Sequence, residues 1–150
     1  QLLSRGIDLS DGRAGLLLMD QKIVDFISDT PTVLKPQYNL VETKAIMVRN
    51  NNNEAYVVDN DNMFVGKVEF MKIVDQDGSL PITDFANSET LTLKHDASLQ
   101  QAIEIAADFV GESIPIIDED TGQFQGAVTE GDIFTAYLGI QGQITDLEKK

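Results

Sequence analysis

The 150-residue sequence predicts a mixed α/β fold of the α+β kind, in which two β-α-β-β-α repeats pack as an intramolecular pair. Three observations predict it: an internal repeat, the same order of helical and extended segments in both copies, and a hydrophobic content of 42%, enough for a core. One such half cannot cover its own sheet well. Two copies packed sheet to sheet would share a core, which explains why the repeat occurs twice.

The repeat is visible residue by residue. The segment Ile23 to Phe26 returns as Ile82 to Phe85, an offset of 59 residues. One inserted residue near Gly122 then moves the offset to 60. The further matching pairs are Leu34 with Leu93, Leu40 with Leu99, Asp59 with Asp118, Phe64 with Phe124, Gly66 with Gly126, and Ile73 with Ile133. Agreement over a whole unit with one insertion is hard to obtain by chance, and two copies indicate a pair rather than a solenoid.

Each copy begins with a short helical turn and a brief extended segment, followed by a helix. The turns are predicted at 23–27 and 82–86, and the extended segments at 32–34 and 91–93. In the second copy the helix has an apolar stripe at helical spacing. Capping boxes mark both helix starts. The boxes are Asn39 with Glu42 and Ser98 with Gln101.

Two strands and a final helix complete each copy. The strands are predicted at 55–58 and 64–68 in the first copy, and at 114–117 and 124–128 in the second. Acidic, turn-rich segments join them, as expected for hairpins. The final helices are predicted at 70–74 and 131–138.

The domain organisation follows from the repeat. The predicted divisions are a tether at 1–22, a first domain at 23–76, a linker at 77–81, a second domain at 82–140 and a tail at 141–150. Because residue 1 is Gln, we expect the chain to be a piece of a longer protein. Its longest apolar run, 16–19, is far short of the roughly 20 residues that span a bilayer.

The charge and the cysteine content exclude several function classes. A net charge of −14 repels nucleic acid and anionic lipid, so neither is an expected partner. Any anionic ligand must be held by local dipoles. The sequence has no cysteine, which rules out a disulfide framework and thiolate chemistry.

The second copy resembles the CBS domain over its full length. The residues that carry the resemblance are three segments: 97–99 at the helix start, the strand 113–118 ending in Asp, and Gly126 to Ile133, which reads GAVTEGDI. The first copy matches in the strand 56–59 and in Gly66 to Val68. It departs at Glu69 and Lys72, where the family often has Ser or Thr and Asp.

The leading segment is similar to a second family feature. Residues 2–9 (LLSRGIDL), then Gly12-Arg13 and Leu16-Leu17, resemble the tether that joins the membrane domain of CLC chloride channels and chloride/proton exchangers to their cytoplasmic CBS pair. The resemblance implies three partners or placements: an attached membrane domain, a homodimer formed through CBS pairs, and a cytoplasmic position at the inner face of a membrane.

The CBS resemblance also implies a nucleotide site. Asp132 would accept hydrogen bonds from the ribose hydroxyls of an adenine nucleotide (ATP, ADP or AMP), while Thr129 and the start of the last helix face the phosphates. The partner copy would supply the adenine pocket through Thr30, Thr32 and the stretch 52–56, including Asn53 and Tyr56.

A purely structural interpretation of the same motif stays open. Thr129 and Asp132 also form an ordinary N-cap arrangement. The run Asn50 to Asn53 lies where the family has an apolar residue to stack on adenine, and Tyr56 lies where it usually has Pro. In the first copy, Glu69 would repel phosphate and Lys72 cannot accept a hydrogen bond, so no site is expected there.

No catalytic or metal site is predicted. His95 is the only histidine and is interpreted as a solvated loop residue. The acidic turns lack the glycine and glutamate of a calcium-binding EF-hand loop, and no Gly-Lys-Ser/Thr of a P-loop is present. The sequence therefore predicts a non-enzymatic, regulatory CBS pair of a CLC-type channel or exchanger. The alternatives are an assembly module without ligand, or the CBS pair of another transporter or enzyme.

Overall fold

The computed structural model describes residues 12–27, 31–109 and 111–148. In this part of the chain, helices and strands follow the predicted order in both copies. Each copy has a strand, a helix, two strands and a final helix, in that order. The helices are α1 Gly12–Asp20, α2 Leu40–Asn50, α3 Phe70–Ile73, α4 Leu99–Ala106 and α5 Glu130–Glu148. The strands are β1 Val33–Leu34, β2 Glu54–Val58, β3 Phe64–Glu69, β4 Leu93–Lys94, β5 Ser113–Ile117 and β6 Phe124–Thr129.

The two sheets have the same topology. Each has three strands, in the orders β1-β2-β3 and β4-β5-β6, with a parallel first pair and an antiparallel second pair. Even the irregularities correspond, because the register shifts at Val57/Val58 in one sheet and at Ile116/Ile117 in the other. The predicted α+β fold with two repeats is confirmed.

The helix starts are those that the capping residues predict. Asn39 and Glu42 form a capping box at α2, and Ser98 and Gln101 form one at α4. Each box satisfies two backbone N–H groups that have no partner within the helix. The first turn of each central helix is thereby fixed by local sequence alone.

The short turn that opens each sequence repeat packs in the other half of the structure. The 3-10 turn Ile23–Phe26 places Ile23 in the hydrophobic core of the second copy, where its N–H donates to Ala97 O at 2.9 Å. The 3-10 turn Ile82–Asp84 places Ile82 in the core of the first copy, and its N–H donates to Tyr38 O at 3.0 Å. Each structural half is therefore completed by a segment from the opposite sequence repeat.

A third hydrophobic cluster joins the two sheets. It consists of Tyr56, Val58, Phe124 and Ala127, with partly buried residues at its edge. At the hairpins, Phe124 N donates to Asn62 O at 2.9 Å and Phe64 N donates to Gly122 O at 3.1 Å. These reciprocal bonds link equivalent positions of the two copies, so the repeats form an intramolecular pair as predicted.

The two ends of the described chain are more helical than the sequence patterns indicate. Within the predicted tether, α1 packs against α4 and α5 and buries Leu18 completely in the core of the second copy. At the other end, α5 continues through the predicted boundary at residue 140 to Glu148. The tether residues 2–9 lie outside the described residues. No helix in the described part is long and apolar enough to cross a membrane.

Candidate functional site

A cleft of about 120 Å³ lies between the two copies. It brings together four of the predicted site residues: Thr32 and Tyr56 from the first copy with Thr129 and Asp132 from the second. Asn52 lines the cleft in place of Asn53, which is not among the lining residues. Thr30 lies outside the described residues. The cleft is therefore built from both copies, as the resemblance implies.

Thr129 and Asp132 form a reciprocal capping box at the start of α5. Thr129 N donates to Asp132 Oδ2 at 3.0 Å, and Asp132 N donates to Thr129 Oγ1 at 3.0 Å. The motif therefore forms the N-cap arrangement that the sequence indicates. The largely buried Asp132 also lines the cleft, together with Thr129.

The asparagine run has a structural role around Thr32. The side-chain amides of Asn50 and Asn52 both donate to Thr32 Oγ1. Asn51 ends α2 in the left-handed conformation with φ of 55°, which asparagine tolerates. Asn53 extends its amide across the interface to Glu112 Oε1 at 2.8 Å. The run therefore shapes the wall of the cleft and connects the two copies.

Tyr56 forms the floor of the cleft. Its ring packs on Phe124, with centroids 5.3 Å apart, and on Phe64 at 6.3 Å. Its hydroxyl hydrogen-bonds to Ser113 Oγ. Burial raises the pKa of this phenol well above its ordinary value, and the nearby negative charge of Glu54 adds to the effect. Tyr56 is therefore neutral at physiological pH and can donate to Ser113.

A buried polar network beside Tyr56 was not predicted from the sequence. Glu54 Oε1 accepts hydrogen bonds from Ser113 N and Ser113 Oγ, both at 2.9 Å, and Glu54 Oε2 lies 3.0 Å from Lys67 Nζ. Lys67 Nζ also donates to Ser113 O at 2.9 Å and lies 5.1 Å from the ring centroid of Phe109. A signal was available for Lys67, a charged residue inside a predicted strand, but not for Glu54, which follows four asparagines at the start of β2. Such residues require partners: Glu54 and Lys67 pair with each other, and Ser113 of the other copy supplies further hydrogen bonds.

A second and larger cavity of about 580 Å³ adjoins the cleft. Thr129 and Asp132 line both spaces. The remaining wall of the larger cavity comes from α5, from Phe26 and from Gln21, which directly follows α1. The sequence offers no signal for this cavity, because its walls come from segments more than 100 residues apart.

The first copy has an equivalent cavity without the ligand-binding motif. Its lining includes Lys67, Glu69 and Lys72, which stand where the second copy has Ala127, Thr129 and Asp132. Lys72 Nζ pairs with Glu69 Oε2 at 2.5 Å, so these two side chains neutralise each other. The acceptor that a ribose would need is replaced by a cation.

The acidic hairpin turns are held by their own side chains. Asp59 Oδ1 accepts from Asp61 N and Met63 N, both at 2.9 Å, and Asp118 Oδ1 accepts from Asp120 N at 2.9 Å. His95 Nδ1 lies 3.2 Å from Glu119 Oε2. A backbone hydrogen bond, followed by the contact with His95, lowers the pKa of the exposed Glu119 carboxyl. His95, Asp96 and Glu119 place potential ligand atoms within 4.8 Å of one another on the surface.

Comparison with known proteins identifies the fold. Residues 82–139, the second repeat, match the family model of the CBS domain. A crystal structure of a CBS domain pair/ACT domain protein from Thermotoga maritima superposes with a TM-score of 0.70 at 18% identity, covering 79% of this chain and 98% of that one. The fold is that of a CBS pair.

Two further CBS-pair structures are similar. The CBS-pair protein CBSX2 of Arabidopsis thaliana, in complex with AMP, has a TM-score of 0.66 at 21% identity and covers 81% of this chain and 98% of that one. The soluble part of a magnesium transporter has a TM-score of 0.69 at 16% identity and covers 85% and 52%. At sequence identities this low, the structural similarity shows that the folds are alike.

A curated relative is an enzyme, and the region that matches this chain is a small part of it. Inosine-5'-monophosphate dehydrogenase of Aquifex aeolicus is 29% identical over 107 residues. The match covers 69% of this chain and only 22% of that protein. CBS pairs thus occur beside very different partners, and the one described here has to be understood from its own cleft.

Proposed function

We propose that this CBS pair is a regulatory module that binds an adenine nucleotide in the cleft between its repeats. The observation that carries the proposal is the position of Asp132: a largely buried carboxylate that lines the cleft beside Thr129, opposite Thr32 and Tyr56 of the other copy. A buried carboxylate is a strong acceptor for paired hydroxyls such as those of ribose. The AMP complex of the similar Arabidopsis protein supports the choice of ligand class.

The cleft suits a nucleoside better than a free anion. Glu54 and Glu112 line it together with Asp132, and the chain carries a net charge of −14. Phosphate groups must therefore lie away from this acidic wall, where the amide groups at the start of α5 and neighbouring hydroxyls can donate to them. The base and ribose supply the recognition in the cleft.

Isothermal titration calorimetry with AMP, ADP and ATP tests the proposal. Asp132→Ala should weaken binding by roughly tenfold or more, because a hydrogen bond to a charged group contributes about 1.5–3 kcal/mol. Asp132→Asn keeps an acceptor for Thr129 N and serves as the variant with an intact cap. Asp120→Ala, in an exposed turn, is the matched control and should bind like the wild type. Absence of binding to all three nucleotides at millimolar concentration would refute the proposal.

A second candidate function is assembly without a ligand. The capping box of Thr129 and Asp132 favours it, because the box explains both residues by their role in starting α5. The calorimetry separates the two candidates. An assembly module gives no heat, and its Asp132→Ala variant is merely less stable.

We further propose that the module is the cytoplasmic part of a CLC-type chloride channel or exchanger and acts as a homodimer. The similarity of residues 2–9, Gly12-Arg13 and Leu16-Leu17 to the CLC tether supports this. Binding would then favour one arrangement of the dimer over another and so bias the attached gate. Deleting residues 20–140 from the full-length protein should alter transport, and analytical ultracentrifugation should show a dimer. Unchanged transport with normal expression would contradict the regulatory role.

A further inference from the structure

The larger cavity touches the end of α1. Gln21, the residue that follows α1, lines it opposite Thr135 and Gln143 of α5. The backbone of this segment is anchored to the second copy, since Leu99 N donates to Gln21 O at 2.8 Å and Ile23 N donates to Ala97 O at 2.9 Å. One wall of the cavity therefore exists only while the segment that directly follows α1 is docked on the second copy.

The cleft and the cavity are adjoining spaces that share Thr129 and Asp132. Sites for small molecules typically have volumes of about 300–1,000 Å³. The cleft of about 120 Å³ falls below this range, whereas the cavity of about 580 Å³ falls within it. A nucleotide whose ribose lies at Asp132 would have to extend from the first space into the second.

We propose that the cavity is a second compartment of the nucleotide site, that it receives the phosphate, and that this contact links nucleotide binding to the docking of α1. The inference rests on the proposed function. The side-chain amides of Gln21 and Gln143 and the hydroxyl of Thr135 are donors that can bind phosphate oxygens. These three donors match the oxygens of one phosphate group, so we expect the compartment to suit the monophosphate AMP.

Nucleotide binding in the cavity would therefore affect how firmly α1 is docked. A phosphate held between Gln21 and α5 stabilises the docked state of α1 relative to any undocked state, by the free energy of that contact. Because α1 precedes both repeats, the effect of the nucleotide would extend to the N-terminal helix of the described chain. Adenosine, which lacks the phosphate, should occupy the cleft without this effect.

Hydrogen exchange of the 12–20 amides, together with calorimetry, tests the inference. Saturating AMP should slow exchange in α1 at least about threefold, and saturating adenosine should not, because only a ligand that contacts the docked segment opposes its opening. Gln21→Ala and Gln143→Ala should each weaken AMP roughly 2–10-fold, the value of one neutral hydrogen bond, and leave adenosine within about twofold. Gln76→Ala, at an exposed position outside the cavity, is the control.

The outcomes separate this inference from the proposed function. If AMP and adenosine bind, Asp132→Ala weakens both, and exchange in α1 is the same with either ligand, the nucleotide site stands and the second compartment is refuted. Tighter binding of ATP than of AMP would also refute the compartment. If none of AMP, ADP, ATP and adenosine binds, the proposed function itself fails.

Discussion

Lys67 Nζ lies 3.0 Å from Glu54 Oε2, and both side chains are buried, with 6% and 7% of their surface exposed. The pair spans two strands of one sheet, but its other hydrogen bonds go to Glu112 and Ser113 in the opposite repeat. The two charges thus neutralise each other within the first copy, and groups of the second copy complete their hydrogen bonding. We interpret the network as a lock on the relative position of the two copies at the edge of the cleft.

Breaking this pair should destabilise the protein strongly. Lys67→Met leaves the carboxylate of Glu54 buried without its cation, which typically costs about 3–5 kcal/mol. Urea unfolding measures the change. The matched control is Lys72→Met, which breaks the exposed Lys72–Glu69 pair and should cost less than about 1 kcal/mol, because solvent screens that pair. Equal effects of the two substitutions would contradict the lock.

The raised pKa of Tyr56 predicts destabilisation at high pH. In the folded state burial opposes ionisation, whereas in the unfolded chain the phenol ionises near its ordinary value of about 10. The stabilising contribution is therefore complete below about pH 10 and is lost as the pH rises above it. Tyr56→Phe should lower the free energy of unfolding at pH 7 by about 0.5–1.5 kcal/mol, because the hydrogen bond to Ser113 is lost. With rising pH, its free energy of unfolding should decrease less steeply than that of the wild type. Tyrosinate absorbance should show that one of the three tyrosines titrates only on unfolding.

The repeat and the caps could be predicted because both are local signals. An offset of 59 or 60 residues needs only the sequence, and a capping box needs two residues three positions apart. Each repeat opens with a short turn that packs in the other half of the structure. This packing could not be predicted, because the periodicity of a sequence does not show which half of the structure a segment contacts. The Glu54–Ser113 contact and the larger cavity were missed for the same reason: each depends on where the two copies meet.

The helical ends were missed for a different reason. The apolar run 16–19 is flanked by Asp20 and preceded by glycines, so it resembles a tether, and only packing against α4 and α5 stabilises it as α1. In α5, Gly139 and Gly142 weaken the helical pattern beyond residue 138. Tertiary contacts override these local preferences.

Gly66 in β3 and Gly126 in β6 occupy equivalent positions in the two repeats. At each position the strand passes close to the segment that opens the other repeat, where that segment packs in the opposite half of the structure. A Cβ at Gly66 would lie 2.8 Å from the backbone of Ala86, and Gly126 has φ of +135° with Ile27 Cδ1 3.0 Å from the Cβ position. Gly66→Ala and Gly126→Ala should each cost about 1–3 kcal/mol in thermal or urea unfolding. Gly142→Ala, in α5 with nothing within 4 Å of the new Cβ, should instead stabilise by about 0.5–1 kcal/mol. Tolerance of alanine at both strand glycines would contradict this packing.

The docking of α1 on the second copy can be tested with two leucines two residues apart. Leu18 is 0% exposed and belongs to the core of the second copy, whereas Leu16 is 71% exposed. Leu18→Ala should lower the free energy of unfolding by about 2–5 kcal/mol, as expected for a cavity in a packed core. Leu16→Ala should change it by less than about 0.5 kcal/mol. If the two variants were equally stable, α1 would not be part of the folded unit, and the link from the nucleotide site to this helix would have no physical basis.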